Sequence, residues 1–316
     1  MKKIVTVTGD ISPEKLGVTM PHEHVICDIS LHSGIENNRL DDVEAAILEV
    51  NAFREAGGGC LVDVTTADIG RNATALKQVA QATGVNIVTT TGWYSESIYP
   101  SRVGTDDVAA LAREMIHEAT HGIGETGIKP GVIGELGARL AELSPAEELV
   151  LRASARAHLE TGLAIVLHAA LNRPGPSQVR VLREEGVSAD KIIVSHADIV
   201  WHEEVQEDLS YHLALLDIGC YLSFDTIGWL EFSPEHHKIA CIQEIIARGY
   251  AGRLLLSSDL CRKTFYHSNG GRGYDYVLRI FVPRMRECGV AESDIQRMLI
   301  GNPAEVLAVQ GSVSTA

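Results

Sequence analysis

The chain has 316 residues, 45% of them hydrophobic, which is enough for one large α/β domain. Lys plus Arg number 27 against 42 Asp plus Glu, and the net charge of −15 opposes a broad contact with a polyanion, so no nucleic acid partner is expected. No apolar run reaches membrane-spanning length, no signal-like segment opens the chain, and the six cysteines lack CxxC spacing; a soluble cytoplasmic protein with reduced thiols and no membrane partner is expected.

Taken in order, the chain begins with a hairpin-like stretch, "TGDISPEKLG" (8–17), and then alternates short β-rich runs with segments of helical period. The predicted strands are "VTMPHEH" (18–24), "GCLVDVTT" (59–66), "VNIVTTTG" (85–92), "GVIGELG" (131–137), "LAIVLHA" (163–169), "KIIVSHA" (191–197), "GCYLSFD" (219–225) and "RLLLSSD" (253–259). Between them Val43, Ile47, Val50 and Phe53 recur at helical spacing, as do Val108, Leu111 and Met115, and Val205, Leu209, His212 and Leu216. The strands are apolar on both faces, as buried parallel strands are. "EAGGGCL" precedes a strand and is a helix-to-strand turn rather than a phosphate loop, while "NRPGPSQ" (172–178) is a loop and "FSPEHHK" (232–238) starts a helix. No linker divides residues 1–316, so a single-domain (β/α)8 TIM barrel is predicted; a doubly wound open sheet shares the same local pattern.

In a barrel the chemistry sits at the C-terminal ends of the strands. There the first strand carries His22 and His24, two residues apart and therefore on one face, with Glu23 pointing away. The fourth ends in Glu135, the fifth in His168, the sixth in His196 and the eighth in Asp259. Each alone could be a satisfied polar side chain. Six such groups on one rim need partners, and a pair of divalent metals supplies them. Imidazole and carboxylate suit zinc, with manganese or iron possible.

These residues, together with "TMPHEHV", "DVTTADIGRN", "VLHA", "VSHAD" and "IGNPAEVLA", resemble the amidohydrolase superfamily and, within it, the phosphotriesterase-related family, from about the HxH to the C-terminal helix. The resemblance implies two divalent ions per subunit, the more buried held by His22, His24 and Asp259 and the more exposed by His168 and His196. Glu135 would bridge them, as in the branch that uses glutamate where many relatives carry a carbamylated lysine. "SFDTIG" departs from several relatives: Thr226 follows Asp225 where they carry Arg or His, which argues against efficient cleavage of synthetic triesters. Family resemblance also implies a homodimer.

The implied reaction is hydrolysis of a small molecule by a metal-bridging hydroxide, with Asp259 as proton acceptor and later donor, and Asp198 as a relay or, equally, a helix cap. A lactone or other carboxylic ester is the expected substrate, with a sugar lactone bearing an anionic group as one form, because relatives of this branch include lactonases. The alternatives are an amidase, a phosphoester hydrolase and a non-catalytic small-ligand-binding barrel. The loop "LCRKTFYHSNGGRGYDY" (260–276) offers Lys263, Arg272 and Tyr274 for an anionic group, and its glycines would let the backbone near Arg272 approach a ligand closely. Trp93 and Tyr94 in "TGWYSESIYP" are candidate pocket walls.

Overall fold

The computed structural model describes residues 1–104, 106–199 and 208–310. The eight strands are β1 (Val18–Glu23), β2 (Gly58–Asp63), β3 (Asn86–Val88, resuming at Thr90–Thr91), β4 (Val132–Gly137), β5 (Ala164–His168), β6 (Ile192–Val194), β7 (Tyr221–Phe224) and β8 (Leu254–Leu256). All pair in parallel: β1 with β2 and β2 with the first half of β3, then the second half of β3 with β4 and onward in sequence to β8. The helices that follow them are α1 (Val43–Glu55), α2 (Ala73–Thr83), α3 (Val108–His121), α4 (Pro145–Thr161), α5 (Gly175–Glu184), α6 (Ser210–Ile218), α7 (Glu235–Ala247) and α8 (Val282–Glu287). The fold is a (β/α)8 barrel. The predicted helical repeat at Val205 lies outside the described residues, and α6 carries its His212 and Leu216. The N-terminal hairpin pairs Ile4–Thr6 of the strand Lys2–Thr6 with Gly9–Ile11, so its second strand falls inside the stretch that suggested it and its first strand lies just ahead.

Local chemistry explains the helix ends. Asp42 caps α1 by accepting from Glu44 N and Ala45 N, and Ser144 with Glu147 forms a reciprocal capping box on α4, which Pro145 opens and Gly162 closes at φ 72°. Two apolar layers result. Cys60, Val62, Val88, Val132, Ala164, Val166, Ile193, Tyr221 and Leu255 fill the barrel interior, whereas Leu61, Ile133, Ile165, Leu167, Val194 and Leu222 face the helices.

An open sheet would leave β1 and β8 apart. Here they meet through side chains and one backbone hydrogen bond. His22 N donates to Ser257 Oγ at 3.1 Å and Asp259 N donates to His22 O at 3.3 Å. Glu23, fully buried, accepts from Ser258 N at 2.7 Å, Ser258 Oγ at 2.8 Å and Leu260 N at 2.8 Å, with Ser257 Oγ also 2.8 Å away. Burial pushes its carboxyl up to about 7, while the donors on Leu260, Ser257 and Ser258 pull it back. Glu23 therefore points away from its histidine neighbours, as the alternation predicts, and into the seam that closes the barrel.

Replacing Glu23 with Ala would strand Ser258 N and Leu260 N without acceptors in a dry seam. Chemical denaturation of Glu23→Ala should show a loss of about 3 kcal/mol. An unchanged unfolding midpoint would mean that the seam is held elsewhere.

Candidate metal centre

The six strand-end residues converge at the C-terminal end of the barrel. His24 Nε2 lies 3.2 Å from Glu135 Oε1 and 3.4 Å from Asp259 Oδ1; His22 Nε2 lies 3.4 Å from Glu135 Oε2 and 3.7 Å from Asp259 Oδ1. On the other side of the same glutamate, His168 Nδ1 is 2.8 Å from Glu135 Oε2, and His196 Nε2 is 2.9 Å from His168 Nδ1. The side chains of His22, His24, Glu135 and His196 are 1–3% exposed, that of Asp259 is 14% exposed and that of His168 is 23% exposed, so solvent reaches the cluster at His168 and Asp259.

Three breaks in regular geometry aim these groups inward. In β4 the alternation that points Ile133 at the helices would point Glu135 there too. Gly134, at φ 97°, interrupts the register, and a Cβ on it would lie 2.2 Å from Val166 O. His196 and Asp259 hold φ of 60° and 47°, the left-handed region that non-glycine residues seldom adopt. Hydrogen bonds compensate the strain: His196 N donates to Asp225 Oδ1 at 2.8 Å, and Leu260 N, next to Asp259, donates to Glu23.

Behind the rings, hydroxyls meet the outer nitrogens of His22 and His24, while that of His196 has a carboxylate close by but no hydrogen bond. His22 Nδ1 is 2.9 Å from Ser195 Oγ and 3.4 Å from Asp225 Oδ2, His24 Nδ1 is 2.9 Å from Thr65 Oγ1, and His196 Nδ1 faces Asp225 Oδ1 at 2.8 Å. Asp63 fixes the chain after His24 by accepting from Val25 N at 2.6 Å and Ile26 N at 3.2 Å. Electrostatics follow the same plan. Burial opposes charge on Glu135, but His22 and His168 outweigh it and hold the carboxyl well below the ordinary range. Burial likewise opposes charge on His24 and His196, and the facing carboxylates raise both well above the usual imidazole value. At His22 burial wins and the value falls.

The residues fit a divalent metal. His22 Nε2 is buried, aimed at two carboxylates and has no hydrogen-bond partner, and ligand atoms of His22, His24 and Glu135, and of Glu135, His168 and His196, lie within 4.8 Å of one another. Imidazole nitrogen and carboxylate oxygen are the donors that zinc, manganese and iron accept.

The other expected site residues fare differently. Asp198 is fully buried and does not reach the ligand cluster; its carboxylate is consumed by Lys238 Nζ at 2.7 Å, Thr226 N at 3.0 Å and Asp225 N at 3.1 Å, which corrects its assignment as a proton relay. Tyr274 is wholly buried and donates to His24 O at 2.8 Å, so it supports the first strand rather than meeting substrate. Lys263 spends its charge on Glu36 at 2.7 Å, on the surface. Arg272 donates to Gly228 O at 3.2 Å and Ser258 O at 3.0 Å and stacks on Phe265 with its guanidinium 3.8 Å from the ring centre. It staples the loops after β7 and β8. The neighbouring glycines serve that packing: a Cβ on Gly271 would meet Phe265 C at 2.2 Å. Trp93 is 2% exposed, in the core rather than on a pocket wall. Tyr94 does stand at the site, its hydroxyl 3.4 Å from His168 Nε2. Asp225, Asp63, Lys238, Ser195 and Thr65 were not singled out, because a polar residue that supports a ligand through the fold leaves no spacing signal; only the position of Asp225 at a strand end marked it.

Comparison with known proteins agrees with this geometry. The profile of the Phosphotriesterase family matches residues 2–307. The chain is 35% identical over 298 residues to the phosphotriesterase homology protein of Escherichia coli (strain K12), covering 93% of this chain and 99% of that one. It is 30% identical over 346 residues to the N-acetyltaurine hydrolase of Homo sapiens, covering 96% and 97%. Among solved structures, a lactonase from Listeria monocytogenes superposes with a TM-score of 0.90 at 29% identity, over 98% of this chain and 100% of that one. With that match and this rim of imidazoles and carboxylates, the chain belongs to the phosphotriesterase family and is a metal-dependent hydrolase.

Proposed function

We propose that the protein is a binuclear-metal hydrolase that cleaves a lactone or other carboxylic ester. The observation that carries this reading is the convergence of four imidazoles and the Asp259 carboxylate on Glu135, whose Oε1 faces His24 and whose Oε2 faces His22 and His168. His22, His24 and Asp259 would hold the more buried ion, His168 and His196 the more exposed one, and Glu135 would bridge them, with zinc the favoured metal. When bound, such a pair supplies an activated water and polarises the substrate carbonyl. The protein's own part begins with Asp259, whose side chain is 14% exposed at the mouth of the cluster. It takes the proton from the attacking water and returns it to the departing oxygen. Tyr94 borders the same opening and limits how the substrate approaches His168.

The similarity to a lactonase supports an ester substrate. A second reading is a small N-acyl amide, supported by the near full-length similarity to N-acetyltaurine hydrolases. Both use one rim. They differ in the leaving group, because an amine must be protonated as it departs, whereas a lactone alkoxide leaves more readily.

Metal analysis should find close to two transition-metal ions per chain, and a chelator should abolish turnover in a matched panel of lactones, esters and amides in which the esters turn over fastest. Turnover that survives complete metal removal would sink the metal mechanism, and amide-only turnover would replace the ester reading. Glu135→Ala should lower kcat/KM on the order of 100-fold or more and reduce metal content. Retention of both ions with full turnover would show that Glu135 is not the bridge.

A further inference from the structure

Behind His196 the fold buries a complete cation. Lys238, on α7, is 0% exposed, and its ammonium donates to Asp198 Oδ2 at 2.7 Å, to Thr226 Oγ1 at 2.7 Å and to Thr226 O. All three ammonium protons are thereby used. Thr226 Oγ1 donates its hydrogen bond to Asp198 Oδ2 at 2.8 Å, and the aspartate also accepts from Asp225 N at 3.1 Å and Thr226 N at 3.0 Å. The cluster thus grips the backbone on which Asp225 sits, and the Asp225 carboxylate in turn receives His196 N and faces His196 Nδ1, each at 2.8 Å.

A buried ion pair is a poor source of net stability, because desolvating two charges offsets their attraction. It does hold geometry, and His196 needs holding, with its backbone at φ 60°. We propose that Lys238 and Asp198 are positioning residues for the more exposed metal position: through Asp225 they set the ring of His196, and so govern affinity there while leaving the His22/His24/Asp259 position nearly unchanged. The asymmetry follows from the supports. His24 has the Thr65 hydroxyl at 2.9 Å behind its ring, and His22 has the Ser195 hydroxyl at 2.9 Å with Asp225 Oδ2 farther off at 3.4 Å, whereas among the described residues His196 Nδ1 has Asp225 alone, at 2.8 Å. Thr226 supplies the hydroxyl that joins the lysine to the aspartate. This inference rests on the two-metal reading above.

The test is a cobalt(II) titration of the metal-free full chain, followed by visible absorption, for the parent, Asp198→Asn and the charge-neutral double variant Lys238→Met/Asp198→Asn. His168→Ala identifies which absorption band and which equivalent belong to the exposed position. In both variants that equivalent should bind about 10-fold more weakly or worse, with a changed spectrum, while the other equivalent keeps its parental affinity and the metal-free thermal midpoint of the double variant moves little. Equal affinities at both positions, or a parallel weakening of both alongside a collapse of the thermal midpoint, would overturn the proposal. If the double variant does not fold, Thr226→Val, which removes the linking hydroxyl without leaving a lone charge, must show the same selective loss or the proposal fails. A parent chain that takes up no cobalt would refute the two-metal reading itself; a parent with two equivalents and variants that match it would refute only the role of Lys238 and Asp198.

Discussion

The seam between the first and last strands is the constraint on which the rest depends. A parallel barrel must join its two most distant strands without help from chain connectivity. This chain does so with the carboxylate of Glu23, which gathers the backbone and hydroxyl of Ser258 and the backbone of Leu260. Because His22 and His24 flank Glu23, and Asp259 lies between Ser258 and Leu260, the atoms that close the barrel also set three of the inward-facing groups. Structural closure and site geometry are one arrangement. A barrel that opened at this seam would lose its centre at the same moment.

On the opposite side the support is layered rather than direct. Asp225 faces His196, Asp198 holds the backbone of Asp225, and Lys238 neutralises Asp198. Each layer is dry, so each polar group needs a partner, and the need propagates outward until a lysine on α7 ends it. The irregular backbone falls in the same places. The bulge at Gly134 lies beside Glu135, and the left-handed residues His196 and Asp259 belong to the rim cluster, where regular geometry would point a side chain at the helices or leave it misaligned.

The loop after β8 shows how cationic residues can mislead when read as a string. In an acidic chain, Lys263 and Arg272 resemble a docking point for an anion. In the fold they answer carboxylate and carbonyl groups already present: Lys263 meets Glu36, and Arg272 satisfies Gly228 O and Ser258 O while covering Phe265. Substrate recognition at this rim therefore has to be sought nearer the histidines, where Tyr94 stands beside His168.

The order of strands and helices was legible along the chain because burial on both faces of a parallel strand produces continuous apolar runs, and amphipathic helices between them keep a period of 3.6. The residue types of the rim cluster were legible for the same reason, since a histidine or carboxylate at the end of an apolar run has few purposes. Spacing revealed that His22 and His24 share a face, and that Glu23 turns from them. It could not reveal what Glu23 turns toward, because Ser258 and Leu260 lie more than two hundred residues away. Nor could it separate Asp198 from Asp225: both are aspartates just past a strand, and only the approach of Lys238 from α7 assigns one to the scaffold and leaves the other beside His196. Local pattern determines which ionisable side chains stand at the strand ends, and the irregular backbone at Gly134, His196 and Asp259 turns three of them inward. Which of them meet, and which are neutralised before they reach the site, is decided by tertiary contacts, because the partners that satisfy a buried charge come from elements remote in the chain.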